Sequence, residues 1–362
     1  ELAKKGVVFV SINYRVGILG FMAHPELSKE SGNNASGNYG FMDQIAALKW
    51  VQKNIDAFGG DPNNVTIAGQ SAGAFSVNTL IASPLAENIF HKAILQSGGL
   101  LGSSRAQTLT EAEVTGQRFM EKAKVTTIEE LRQLPALELQ RISNNQEIGR
   151  VGITEDGYVV PKNLMAHFKN GKQQQIPIIS GWVTGDGDFL GGNEMTVEEY
   201  NEEAIANYGN KAASFLTIFP AVTNEEVKKM KSKLGMLNFA GVPSHLLANY
   251  NTKPSYLYQF GHIPPEKKDF PNYGAFHTSE VPYALHTLHT WNRDWQPSDK
   301  TIEDVLSSYW VNFAKTGNPN GDNLPIWNTY DKQSGSIMVI DETTLSSKEG
   351  FMKNEIKFLS EL

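Results

Sequence analysis

Val65-Thr66-Ile67-Ala68-Gly69-Gln70-Ser71-Ala72-Gly73-Ala74 joins a strand-like run, the pattern Gly-x-Ser-x-Gly and the start of a helix-compatible run that ends near Pro84. In that context Ser71 is predicted to sit on a sharp strand-to-helix turn with its hydroxyl presented as a nucleophile. Such a turn strains the backbone, and side chains at Gly69 and Gly73 are expected to collide with neighbouring backbone. Small residues at 72, 73 and 74 let the helix begin close to the sheet. Its N-terminus aims backbone N–H groups at developing negative charge, which makes the Ala72 N–H one candidate oxyanion donor. The five-residue pattern alone occurs by chance in non-catalytic turns. The strand before it and the helix after it are what point to chemistry.

Working outward, β-type runs and helical patterns alternate from Gly6 to Leu95, as a mostly parallel sheet with crossover helices does. Strands are expected at Val7–Ile12, Val65–Ala68, Ala93–Gln96, Ile176–Ser180, Tyr256–Phe260 and Ile337–Ile340. Phe41, Ile45, Leu48, Val51 and Ile55 recur at spacings of three and four, so one helix should carry them toward the sheet. Ile302, Val305, Leu306, Tyr309 and Phe313 mark a late helix in the same way. Thr-x-x-Glu pairs at Thr110–Glu113, Thr127–Glu130, Thr196–Glu199 and Thr223–Glu226 read as capping boxes that open helices. The expectation is a single α/β domain over 1–362, with helices on both faces of the sheet. Helical insertions at 100–170 and 192–250 are expected to form a lobe above its C-terminal edge.

Bulk composition narrows the function classes. With 362 residues, 40% hydrophobic and 20% charged, the chain can bury a sizeable core and is not of disordered composition. A net charge of -7 without a basic stripe argues against a nucleic-acid partner. No apolar run is long enough for a membrane-spanning helix. Cysteine is absent, so thiolate nucleophiles, disulfides and Cys-based zinc sites are excluded, while compartment and oligomeric state stay open. Gly59-Gly60-Asp61-Pro62 has no Gly-Lys-Ser/Thr after it and reads as a turn, not a phosphate cradle. His286 and His289 lie three apart on an expected helix after Pro282, but no third ligand is apparent, so no metal or cofactor is expected.

Five stretches carry a family likeness: Ser11–Gly17, Gly37–Gln44, Phe58–Thr66, Gly69–Ala74 and Phe90–Gly99. Weaker matches continue through Asp156-Gly157, Gly181–Phe189, Gly274–Tyr283 and Asn312–Pro319. In these the chain resembles the type B carboxylesterases, the family of cholinesterases and bacterial carboxylesterases. The resemblance implies an α/β-hydrolase fold and a serine hydrolase acting on small-molecule carboxylic esters through an acyl-enzyme, with no cofactor.

Chain order in that fold is nucleophile, acid, histidine. Order alone leaves His91, His167, His245, His262, His277, His286 and His289 as bases. The resemblance selects His277, in Gly274-Ala275-Phe276-His277, as similar to the family's Gly-x-x-His loop. The family's usual Asp-Glu-Gly appears here as Gly185-Asp186-Gly187, so Asp186 aligns with the catalytic carboxylate, one methylene shorter. Asp188 is the competitor two residues on. Ser97 and Ser279 resemble family positions where a hydroxyl could bond the acid or base. Trp182, Phe189, Phe276 and the aromatics around Tyr258 are candidates for a pocket lining or for plain core.

Family members take further oxyanion donors from a His-Gly-Gly-Gly-type loop upstream of the strand near Gly6, and this chain contains no such loop. Gly98-Gly99 and Gly191-Gly192 stand in the wrong context for it. The N-terminal strands and that loop are therefore expected to lie outside this sequence, which starts at Glu1 without an initiator Met, and targeting stays open. Loss of one donor typically costs about 10²–10³ in turnover. The rival readings are a non-catalytic binding module of the same fold and an inactive fragment of an esterase.

Overall fold

The computed structural model describes residues 1–102, 106–188, 195–267, 270–342 and 344–362. Its strands are β1 (Thr66–Gln70), β2 (Lys92–Gln96), β3 (Gln107–Thr108), β4 (Thr154–Glu155), β5 (Ile178–Val183), β6 (Ser255–Phe260), β7 (Ile337–Ile340) and β8 (Leu345–Lys348). Six of them form one sheet in the order β1-β2-β5-β6-β7-β8, while β3 and β4 make a separate pair. Pairing is parallel from β1 through β7, and only the β7–β8 edge is antiparallel.

Two-residue periodicity divides the core. Ala93, Leu95, Ile178, Trp182 and Leu257 face one cluster, which also takes Phe41, Ile45 and Leu48 from the helix Tyr39–Asn54. The intervening Ile94, Ile179, Val183, Tyr256, Tyr258 and Phe260 face a second cluster with Ile302, Leu306, Tyr309 and Phe313 of the helix Pro297–Thr316. Every residue of β2, β5, β6 and β7 is buried, as expected where helices cover both faces of a parallel sheet. Each large apolar side chain so buried contributes about 1.5–3 kcal/mol.

The strands expected at 65–68, 93–96, 176–180, 256–260 and 337–340 are present within three residues at each end. The strand expected at Val7–Ile12 is not formed. Its backbone pairs with no strand among the described residues, and β1 is bonded only to β2. Val8, Phe9 and Val10 are 43%, 59% and 44% exposed. What holds the start of the chain is polar: the Lys5 ammonium donates to Ser307 and Ser308, and Lys315 donates to the Lys5 carbonyl. A strand is defined by its ladder, and apolar alternation alone does not supply one.

Thr127–Glu130, Thr196–Glu199 and Thr223–Glu226 are capping boxes at the helices they open. The box expected at Thr110–Glu113 is instead Thr108–Glu111, because Thr108 leaves β3 with extended backbone and its hydroxyl accepts the Glu111 N–H, whereas Thr110 is already helical.

At the end of β1 the chain turns sharply. Ser71 has φ 55° and ψ −117°, outside the ordinary regions for an L-residue, and the helix Ala72–Ala82 starts immediately after it. A Cβ at position 69 would lie 2.3 Å from the carbonyl carbon and oxygen of Gly73. At position 73, by contrast, a Cβ would meet nothing within 4 Å among the described residues. The expectation that both glycines avoid collisions therefore holds for Gly69 and is corrected for Gly73, whose own backbone is what Gly69 must clear. Gly69→Ala should lower stability by about 1–3 kcal/mol. Gly73→Ala should change it by less than about 0.5 kcal/mol. Urea unfolding of the two variants checks this, and equal losses would contradict the assignment of the contact.

Candidate active site

Parallel strands deliver their carboxyl ends to one edge of the sheet, and the candidate residues follow those ends. Ser71 comes directly after β1 and Ser97 directly after β2, while Asp186 lies just past β5. His277 is in the long connection after β6. The turns are pinned by backbone bonds that extend the ladder: Ser71 N–H donates to Gln96 O, Ser97 N–H to Gly181 O and Thr184 N–H to Phe260 O, each at 2.9 Å.

Acid and base loops are joined by backbone. Gly185 forms an isolated parallel bridge with Phe276, and its N–H donates to Ala275 O at 2.9 Å. A Cβ at 185 would fall 2.4 Å from that carbonyl oxygen, so only glycine allows the approach. The bridge sets Asp186 beside His277, with His277 Nδ1 2.6 Å from Asp186 Oδ1. The other carboxyl oxygen, Oδ2, accepts the Val183 N–H at 2.9 Å. Asp186 is fully buried, whereas the His277 side chain keeps 19% exposure. An imidazole that donates from Nδ1 to the carboxyl leaves Nε2 as an acceptor. That nitrogen lies 3.2 Å from Nε2 of Gln70, the residue before Ser71.

Asp188 stands apart from this pairing. Its carboxylate takes the Ser232 hydroxyl. Of the other histidines, only His262 makes a comparable buried pair, 2.7 Å from Asp299. Asp299 also accepts from Tyr283 and from the Gln296 N–H, which makes this pair part of the cap of the helix Pro297–Thr316. His286 and His289 do not share a helix, because the helix after Pro282 ends at Ala284 and His286 has φ 57° and pairs with Asp304. No group of three or more His, Cys, Asp or Glu residues is placed to hold a metal ion among the described residues.

Ser97 and Ser279 are both fully buried, and neither hydroxyl has a hydrogen-bond partner among the described residues. Trp182 and Tyr258 are core residues, with the Trp182 indole N–H donating to Gln259. Phe276 stacks on Trp291 at 6.4 Å beneath the Arg293 guanidinium. Phe189 and Gly191-Gly192 lie outside the described residues.

Several neighbours of the site carry no readable mark in the sequence. Phe239 meets the His277 ring edge-on at 5.5 Å and the Phe75 ring at 5.8 Å, forming an apolar wall between base and nucleophile helix. It belongs to a single π-helical turn, Leu237–Gly241, a feature often found at functional sites. Glu280, three residues after His277, is fully buried and takes a bond from Gln96. Nothing in Ser279-Glu280-Val281-Pro282 distinguishes it from a surface glutamate.

A family model described as Carboxylesterase family matches residues 1–359. The chain is 34% identical to the fumonisin B1 esterase of Sphingopyxis macrogoltabida over 96% of its own length and 66% of that protein's. It is 30% identical to the para-nitrobenzyl esterase of Bacillus subtilis (strain 168) over 99% of its length and 75% of that protein's. It thus spans about two thirds to three quarters of these relatives. Among solved structures, a thermophilic pNB esterase superposes with a TM-score of 0.77 at 28% identity, covering 96% of this chain and 72% of the other. The match runs through the turn at Ser71 and the loops of Asp186 and His277 alike, and the chain belongs to the carboxylesterase family.

Proposed function

We propose that this chain is the catalytic part of a serine esterase that cleaves small-molecule carboxylic esters, with Ser71 as nucleophile, His277 as general base and Asp186 as its orienting acid. The helical segments 100–170 and 192–250 are insertions into one α/β domain on this reading. The carrying observation is the 2.6 Å contact between His277 Nδ1 and Asp186 Oδ1, with Nε2 turned to the strained turn at Ser71. Family membership supports the reaction class, and the chain order Ser71, Asp186, His277 supports the roles.

The steps follow from these roles. Ser71 Oγ attacks the acyl carbon as its proton passes to His277 Nε2. The tetrahedral oxyanion lies at the start of the helix Ala72–Ala82, where the Ala72 N–H is one donor. Collapse breaks the bond to the leaving oxygen, which takes the proton from His277, and the acyl group remains on Ser71. Water then repeats the sequence: His277 takes its proton, its oxygen forms the new acyl bond, and Ser71 leaves with the proton returned. Asp186 keeps the proton on Nδ1, which makes Nε2 the accepting nitrogen, and it steadies the imidazolium formed at each transfer. Its buried position and its bond from Val183 N–H restrict it to one orientation.

A fluorophosphonate probe should label Ser71 in the full-length protein, and Ser71→Ala should abolish labelling. Labelling that persists in S71A would overturn the nucleophile. Asp186→Asn offers an amide N–H to His277 and so favours the wrong tautomer, and it should lower kcat for a p-nitrophenyl ester by about 10⁴-fold. Asp188→Asn should change it by less than about threefold, since that side chain serves Ser232. A larger loss in D188N than in D186N would exchange the two roles.

A further inference from the structure

Behind Asp186 lies a second carboxyl group that the reaction does not use. Glu280 follows His277 in the base loop and is fully buried. Its Oε1 accepts the Gln96 amide at 3.2 Å, and the same Gln96 takes the Trp310 indole N–H through its oxygen. Its Oε2 has no partner among the described residues. The Tyr258 phenol is likewise fully buried and interacts with Glu280, Asp186 and the Gln96 side chain. The hydroxyls of Ser97, next to Gln96, and of Ser279, next to Glu280, are buried and without partners too.

The groups acting on the Glu280 carboxyl are Asp186, its own backbone N–H and Gln96 from the end of β2, with Tyr258 of β6 beside them. No lysine or arginine is among these. An ionised Glu280 would therefore be a buried negative charge with one bare oxygen, next to a second buried carboxyl. A neutral carboxylic acid suits the same surroundings, because it places no second negative charge beside Asp186 and avoids leaving a bare anionic oxygen in the interior.

We propose that Glu280 is a positioning residue held as a neutral carboxylic acid behind Asp186, with Oε1 bonded to Gln96 and the proton on the buried Oε2, so that Asp186 is the one carboxylate acting on His277. This rests on the reading of Asp186 and His277 as acid and base. Two negative charges there would hold the proton on His277 and weaken it as a donor to the leaving group, so a neutral Glu280 leaves the imidazole able both to accept and to release. Burial and the neighbouring Asp186 push the Glu280 carboxyl up to about 8, which agrees with this state.

Infrared difference spectra of the full chain, wild type against Glu280→Gln, read the proton directly. A protonated carboxylic acid C=O band present near pH 7 in wild type, absent in E280Q and lost as pH rises past about 8 is the expected result. A carboxylate band at pH 7 would overturn the proposal. Stability gives an independent reading. A carboxyl whose folded pKa lies above its unfolded value near about 4.3 loses its stabilising contribution as pH rises from there through the folded value. The unfolding midpoint of wild type should therefore fall relative to E280Q between about pH 5 and about pH 8, and a constant difference over that range would overturn the proposal. In the pH profile of kcat/KM, E280Q should keep the acid limb where wild type has it, whereas removal of a true charge would move that limb down by about one unit or more. Should E280Q fail to fold, the wild-type infrared titration decides alone. Because the infrared and stability measurements need no turnover, failure of Ser71 to label leaves them interpretable and separates the two readings.

Discussion

The parallel ladder in which Gly69 pairs with Leu95, Gln96 with Gly181, and Gly181 with Tyr258 is the constraint on which the rest of the site depends. Strands that run the same way must all release the chain at one edge. β1, β2, β5 and β6 therefore bring residues separated by as much as two hundred positions into one small volume. Backbone bonds carry the ladder one step past the strands and fix where each turn begins, so Ser71 can hold its strained φ without the turn unwinding. The bridge between Gly185 and Phe276 does the same for acid and base. Side-chain geometry at 2.6 Å is set by backbone geometry, and the glycines at 69 and 185 are there because two backbones meet at each place.

Polar groups divide along the same line. His262 and Asp299 form as close a pair as His277 and Asp186, yet the first is fully buried and ends in a helix cap with every Asp299 bond directed to structure. What separates them is position: one lies beside a strained nucleophile turn, with part of its imidazole exposed, and the other is sealed behind Tyr283. Around Asp186, moreover, the buried hydroxyls of Ser97 and Ser279 and one oxygen of Glu280 have no hydrogen-bond partner among the described residues.

Periodicity made most of the sheet and its covering helices readable, because burial on a two- or three-and-a-half-residue repeat is a local property. The same reasoning failed at Val7–Ile12, where the pattern is present and a pairing partner is not, and at Thr110, where two threonines compete and only the end of β3 chooses Thr108. It also put His286 and His289 on a helix that stops at Ala284, because nothing local reports the left-handed backbone at His286. Gly73 looked like a residue that avoids a clash, and only the placement of Gly69 against it shows which of the two needs to be glycine.

By itself the sequence determined the strand-turn-helix at Ser71 and the alternation that buries the central strands on both sides, since each is written in neighbouring residues. Tertiary structure alone decided that Asp186 and not Asp188 meets His277, that Phe239 and Phe75 wall the site, and that Glu280 is buried beside the acid. Those outcomes turn on where separate loops come together, and that is settled by ladder register and close backbone contact, which no local pattern encodes.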